Sequence, residues 1–197
     1  MTSKLSSFAP HIVGIGGTAR AHSTSERAVE QALEHAKILG ATTRLFDGDF
    51  VSRMPLYIPD RVTRNADEDE FIGAIRRCHG LIVGTPGYHG SLSGPIKNML
   101  DLLEYTAKDD RSYLDGCAFG CIVTAYGWQA CGTTLVALRS IAHALRAWPT
   151  PFGAALNTSG PLFDSEGRGS SESVSKQLSL VASQVVQFAR CYHAAGR

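Results

Sequence analysis

The sequence predicts a doubly wound α/β domain of three layers, with a five-stranded parallel sheet between two layers of helices. Three observations carry this prediction. Short apolar runs alternate with amphipathic stretches along the 197 residues. One run, "GLIVGTP" at residues 80–86, is continuous and shows no alternation, as expected of a strand covered on both faces of a parallel sheet. The first run ends in glycines just before an amphipathic stretch, which is the strand, turn and helix unit from which such sheets are built.

Residues 11–15 form the first strand. A helix over 25–39 follows, with Val29, Ala32, Leu33 and Ala36 on one face and Gly40 as its stop. Residues 41–46 read as a weaker second strand, and "DGDFVSRMPLYIPD" at 47–60 as a long loop, because Pro55, Pro59 and the charges deny it either periodicity. The helix over 67–79 opens on acidic residues and closes on Arg76 and Arg77, which complements the helix dipole, and it buries Phe71, Ile72 and Ile75. After the third strand, Ser93 as cap and Pro95 as first helical residue begin a helix striped by Ile96, Leu100 and Leu103. The remaining elements are a fourth strand over 117–125, a helix over 133–148, a fifth strand over 152–156 and a last helix over 172–194. "SGPLFDSEGRGSS" at 159–171 reads as a mobile loop.

Composition narrows the function. With 44% apolar and 19% charged residues, residues 1–197 make a single domain with room for a substantial core. Lys plus Arg (19) nearly cancels Asp plus Glu (18), so no positive field points to nucleic acid or an anionic membrane. The first eleven residues hold one lysine and no apolar core, and nothing approaches the roughly 18 apolar residues of a membrane span. The chain is expected to be cytoplasmic. Five cysteines, none in a C-x-x-C pair, read as buried thiols, and the Asn157-Thr158-Ser159 sequon as a chance match. The scattered histidines show no metal-ligand spacing, and "GSLSG" has Leu92 where a hydrolase elbow needs serine.

The opening loop, "GIGGTARAHSTSE" at 14–26, admits two ligands. Gly14, Gly16 and Ala19 fit the G-x-G-x-x-A turn of a dinucleotide site, but that fingerprint needs the helix to start inside the motif and an acidic residue about 20 positions on. Ser23 with Glu26 forms a capping box instead, which starts the helix later, and Asp47 lies too far along. The loop otherwise offers Thr18, Ser23, Thr24, Ser25, the Arg20 guanidinium and the free amides of a helix start, a cradle for a phosphate monoester. No Walker sequence is present. The plainer alternative makes Ser23 only a cap and Arg20 only a surface charge.

Two further loops tip the balance. "TPGYHGSLSGP" at 85–95 concentrates glycines, prolines, Tyr88 and His89 after the third strand, as expected of the crevice loop where the strand order reverses. This favours the flavodoxin-like order 2-1-3-4-5 over the dinucleotide order. Pro86, Gly87, Tyr88, His89, Gly90 and Ser91 then suit a flat ring against backbone, the alternative being a tyrosine packed on a glycine turn. The loop after the fourth strand adds Tyr126, Gly127 and Trp128.

These residues carry a resemblance. Gly17-Thr18-Ala19-Arg20-x-x-Ser23-x-Ser25 resembles the G-S-x-R-x-x-S-x-N phosphate motif of the NADPH-dependent FMN reductase family. Thr85 to Ser91, with Ser93, Gly94, Lys97, Asn98 and Asp101, is similar to that family's P-x-Y-x-x-S-x-x-G-x-x-K-N-x-x-D flavin segment, and "MPLY" at 54–57 to its loop after the second strand. The likeness covers residues 12–156 and is nearest in flavour to two-component reductases that serve alkanesulfonate-type monooxygenases. It implies FMN with its phosphate at Thr18, Arg20, Ser23 and Ser25 and its isoalloxazine along 86–91, reduced by NADPH or NADH. It also implies a homodimer or homotetramer and a monooxygenase partner. The chain departs from the family in Thr18 for serine, Ser25 for asparagine and His89 where many relatives have asparagine. A flavodoxin-type electron carrier is a rival reading, weakened by the absence of Asp and Glu between Leu81 and Leu100. A Rossmann dehydrogenase is the third.

Overall fold

The computed structural model describes residues 8–164, 167, 169 and 171–196. The elements in chain order are β1 (His11–Ile15), α1 (Thr24–Ile38), β2 (Thr42–Phe46), α2 (Gly48–Arg53), α3 (Ala66–Arg77), β3 (Gly80–Tyr88), β4 (Ser91–Leu92), α4 (Gly94–Asp101), β5 (Ala118–Ala125), α5 (Trp128–Ala144), β6 (Trp148–Pro149), β7 (Ala154–Asn157) and α6 (Glu172–Ala194). A 3-10 turn over Leu102–Thr106 extends α4. The sheet runs β2-β1-β3-β5-β6, with β7 also on β5 and β4 folded back antiparallel on β3. All other pairings are parallel. The flavodoxin-like order is therefore as expected, with seven strands where five were predicted.

The two additional strands have separate causes. β4 is the return arm of a hairpin, pairing Gly87 with Leu92 and Tyr88 with Ser91. The predicted fifth strand is broken in two: β6 pairs with Ala118 and Phe119, and β7 with Ile122 to Ala125. Thr150 N–H still bonds Phe119 C=O at 3.0 Å, but Pro151 lacks an amide hydrogen, so the ladder breaks there. The Phe152 amide bonds the Gln184 side chain at 2.9 Å instead.

Alternation along the strands divides the core. Val13, Ile15, Leu81, Val83, Phe119 and Cys121 face α2, α3, α4 and α5, while Ile12, Ile82, Ala118 and Ile122 face α1 and α6. With both faces covered, the central strands have no polar side, which explains the unbroken run at 80–86.

Some local expectations need correction. The stretch after β2 begins with a helix, because Asp47 caps α2 through Phe50 N–H at 2.8 Å and Phe50 packs on Phe46 at 4.6 Å. Six residues are too few for periodicity to register. α5 starts at Trp128, not Thr133, because Gly132 is carried inside the helix, and it ends before Trp148, which belongs to β6. Ser93 stands at the N-cap position of α4 without a capping bond. Four cysteines are buried as expected, but Cys191 is exposed. The loop over 159–171 lies partly outside the described residues.

At the amino-terminal edge of the sheet, His79 Nδ1 accepts the His11 N–H at 3.0 Å, a bond that needs the ring neutral at that nitrogen. Burial, then Arg111 and His11, hold the His79 pKa below its ordinary value. The unfolded chain therefore takes up the proton first, and stability falls as pH drops below about 6.5. His79→Asn keeps an acceptor but cannot titrate, so its melting midpoint should fall less than that of the wild type between about pH 7 and 5. Thermal melts at stepped pH check this. Parallel curves would show that His79 does not couple.

Candidate active site

Three loops meet at the carboxyl ends of β1, β3 and β5, around a cleft of about 360 Å³ lined in part by Thr18, Arg20, Pro86, Gly87 and Tyr88. That is within the roughly 300–1,000 Å³ usual for small-molecule sites. A larger hollow of about 800 Å³ runs along α1 and β2, but its walls include charged side chains such as Arg27, Glu34, Lys37 and Arg44 and none from the loops after β3 or β5. The switch point between β1 and β3 favours the smaller cleft.

The first wall is the loop 16–23 and the start of α1. Gly16 N–H bonds Phe46 C=O at 2.8 Å, and the Thr18 hydroxyl closes a turn by accepting Arg20 N–H at 3.0 Å. Ser23 caps α1 by accepting Glu26 N–H at 3.2 Å, and Ser23 and Ser25 Oγ lie 3.4 Å apart, both buried. Only half of the expected capping box forms: the Glu26 carboxylate bonds His22 N–H and Gly48 N–H, not the amide of Ser23. The amides of Thr24 and Ser25 have no acceptor within their own helix, and the dipole there favours an anion. Arg20 is exposed and has no ion-pair partner among the described residues.

Gly17 is forced by contact. A Cβ there would stand 1.6 Å from Ser25 Oγ and 2.3 Å from Ser25 Cβ, so loop and helix touch through glycine alone. Ser93 Oγ donates to Gly17 C=O at 2.9 Å, which explains its missing cap and ties the first loop to the second. The second loop is braced by Thr85, whose buried hydroxyl accepts Ser93 N–H at 3.0 Å. Asn98 bonds Pro55 C=O and Tyr57 N–H, so the "MPLY" loop is fixed to α4.

The structure brings nine of the expected residues into one cleft: Thr18, Arg20, Ser23, Thr24, Ser25, Pro86, Gly87, Tyr88 and Tyr126. Tyr88 and Tyr126 remain 55% and 79% exposed, so both rims offer aromatic surface. His89 and Gly90 form the hairpin turn, Ser91 opens β4, and Gly127 and Trp128 stand at the start of α5, all outside the lining. Thr124, Ala125 and Thr158 complete the wall and were missed by the sequence reading. Their signal was position: Thr124 and Ala125 close β5, and Thr158, whose N–H bonds Ala125 C=O at 2.8 Å, directly follows β7.

His89 (φ 51°) and Gly90 (φ 88°) occupy the left-handed region in the two-residue turn. Asparagine adopts that conformation more readily than histidine, so His89→Asn should raise unfolding free energy by about 0.5 kcal/mol. The check is a melting midpoint higher by about 1–2 °C. An unchanged midpoint would place no strain at His89.

Among the described residues no carboxylate lines the cleft, and the single formal charge in its lining is Arg20. Such a site fits a small dianion at the helix start beside an uncharged planar group. A sheet of this order, with a cleft rimmed by Tyr88 and Tyr126 at its switch point, defines a flavodoxin-like protein.

The chain belongs to the NADPH-dependent FMN reductase family, which it matches over residues 10–159, and is accordingly an oxidoreductase of the flavin-dependent kind. Comparison with curated proteins found no match. Among solved structures it is similar to an apo NADH:FMN oxidoreductase (EMOB), at 24% identity and TM-score 0.71 over 90% of this chain and 89% of that one. RosB, solved with the bound intermediate 8-demethyl-8-formylriboflavin-5′-phosphate, superposes at TM-score 0.78 and 15% identity over 96% and 82% of the two chains. FerB from Paracoccus denitrificans, an NAD(P)H:(acceptor) oxidoreductase, gives 0.75 and 15% over 93% and 99%. At these identities the likeness is one of fold.

Proposed function

We propose that this protein is an NAD(P)H-dependent FMN reductase, with FMN held in the cleft and NADPH or NADH approaching from the open side. The observation that supports this is the convergence of three loops on a cleft whose one charge among the described residues, Arg20, lines it together with Thr24 and Ser25 at the start of α1. FMN, when bound, supplies the redox chemistry, taking a hydride equivalent from the nicotinamide and passing two electrons to a second acceptor. The chain's own residues bind and orient. Arg20 and the amides of Thr24 and Ser25 would hold the phosphate, with Ser23 and Ser25 shaping the floor beneath. Pro86, Gly87 and Tyr88 would hold one side of the ring, and Thr124, Tyr126 and Thr158 the other. Among the described residues no histidine, cysteine or carboxylate lines the cleft, and no acid or base of the chain is assigned to the chemistry.

The second acceptor in this reading is free FMN destined for a partner monooxygenase; a quinone, an azo compound or an oxidised metal ion would suit the same transfer. The test is the visible spectrum of FMN-loaded protein under argon, before and after NADPH or NADH. Bleaching of the flavin band by either nucleotide is expected, and the faster one names the reductant. Bound flavin that neither nucleotide bleaches would favour an electron carrier, and failure to bind FMN would end the reading.

A further inference from the structure

Glu26 is 1% exposed, yet it places a carboxylate in the same first turn of α1 as the amides assigned to the phosphate. On electrostatic grounds it is misplaced, since a buried negative charge beside an anion seat opposes the anion. Its bonds suggest why it is there. Oε1 accepts the His22 N–H at 2.8 Å and Oε2 the Gly48 N–H at 2.6 Å, so each oxygen holds a different loop. His22 is held at φ 55°, a left-handed conformation that costs a non-glycine residue energy unless its surroundings impose it. Gly48 in turn presses on the first loop: a Cβ there would lie 2.4 Å from Arg20 C=O and 2.9 Å from Ala21 N. The segment from Arg20 to His22 thus rests on Gly48 below and is pulled down by Glu26 at its end.

We propose that Glu26 is a positioning residue for the phosphate loop, clamping it to the loop after β2, and that this geometric role outweighs its repulsion of the phosphate. The proposal rests on FMN being bound with its phosphate at α1. It also makes the clamp specific for phosphorylated flavin: riboflavin, which has no phosphate, does not use the clamped segment.

Glu26→Gln separates the two effects by sign. Glutamine removes the charge, which by itself would tighten FMN binding, but it has one acceptor oxygen where two amides need one each. Fluorescence titration of the full chain with FMN and with riboflavin, together with a thermal melt of the apo-protein, reads the outcome. The expected result is FMN binding weaker by about tenfold or more, the loss typical when a bond to a charged acceptor goes, with riboflavin binding within about twofold of wild type. Gly48→Ala leaves the carboxylate intact but pushes on Arg20 C=O, and should give the same split. Unchanged or tighter FMN binding by Glu26→Gln would overturn the proposal. So would equal weakening for both flavins, or failure of both variants to fold, because the clamp would then serve the domain as a whole. If the wild type binds FMN no better than riboflavin, the phosphate assignment fails, and that result is read before any variant is made.

Discussion

Gly17→Ala is expected to lower FMN affinity by about a hundredfold, on the scale set by ångström misplacement in a preorganised site. The added methyl would lie 1.6 Å from Ser25 Oγ and 2.3 Å from Ser25 Cβ. Rotating the serine relieves the first contact but not the second, so backbone has to move. The loop has little room to do so, pinned by Gly16 N–H on Phe46 and by Ser93 on the Gly17 carbonyl. The rise of the loop would carry Arg20 away from the helix start. Adding Ser25→Gly removes both offending atoms, at about 1 kcal/mol in helix propensity, and should recover much of the lost affinity. Titration with FMN of the single and double variants decides it. Wild-type affinity in Gly17→Ala would mean that this loop is not where the phosphate binds.

Phe71→Ala is expected to cost about 3–5 kcal/mol of stability, a large part of the roughly 5–15 kcal/mol a domain possesses. Phe71 is fully buried on α3, with its ring edge-on to Phe46 at 5.1 Å and 88°. Phe46 also meets Phe50, so the cavity would open beneath both α2 and α3. Urea unfolding measures the loss, and Phe71→Leu, closer in volume, should lose less than about 1.5 kcal/mol. Phe71 is absent from the cleft lining, so protein that remains folded should bind flavin as the wild type does. A loss under about 1.5 kcal/mol in Phe71→Ala would mean that α3 is not packed on the sheet as described.

What could be read directly from residues was whatever depends on near neighbours. The unbroken apolar run at 80–86 marked a strand covered on both sides, and the stripe of Val29, Ala32, Leu33 and Ala36 marked α1. Strand order followed from where the unusual loops fell. The reading faltered where a local rule met a distant partner. α2 was hidden because its six residues are held by Asp47 and by Phe50 on Phe46 rather than by a repeating pattern. Gly132 lies just before the helix expected over 133–148 and is instead an ordinary member of α5.

In the candidate site, the chemistry of three loops taken together pointed to Thr18, Arg20, Ser23, Ser25 and Tyr88, and the structure places all five in one cleft; hydroxyls, a guanidinium and a helix start favour an anion wherever the fold puts them. The sequence alone thus determined the strand order, the helices with a strong apolar stripe and the loops that line the candidate cleft. Tertiary structure decided what those residues bond to. Ser23 and Ser93 look like caps, but only Ser23 is one, and Ser93 spends its hydroxyl on a carbonyl 76 residues away. Glu26 looks like the second half of a capping box and holds two loops together, one of them 22 residues on. Spacing encodes helical and strand neighbours, which recur every few residues, whereas a hydrogen bond between loops depends on where the sheet carries them, and no period in the sequence records that.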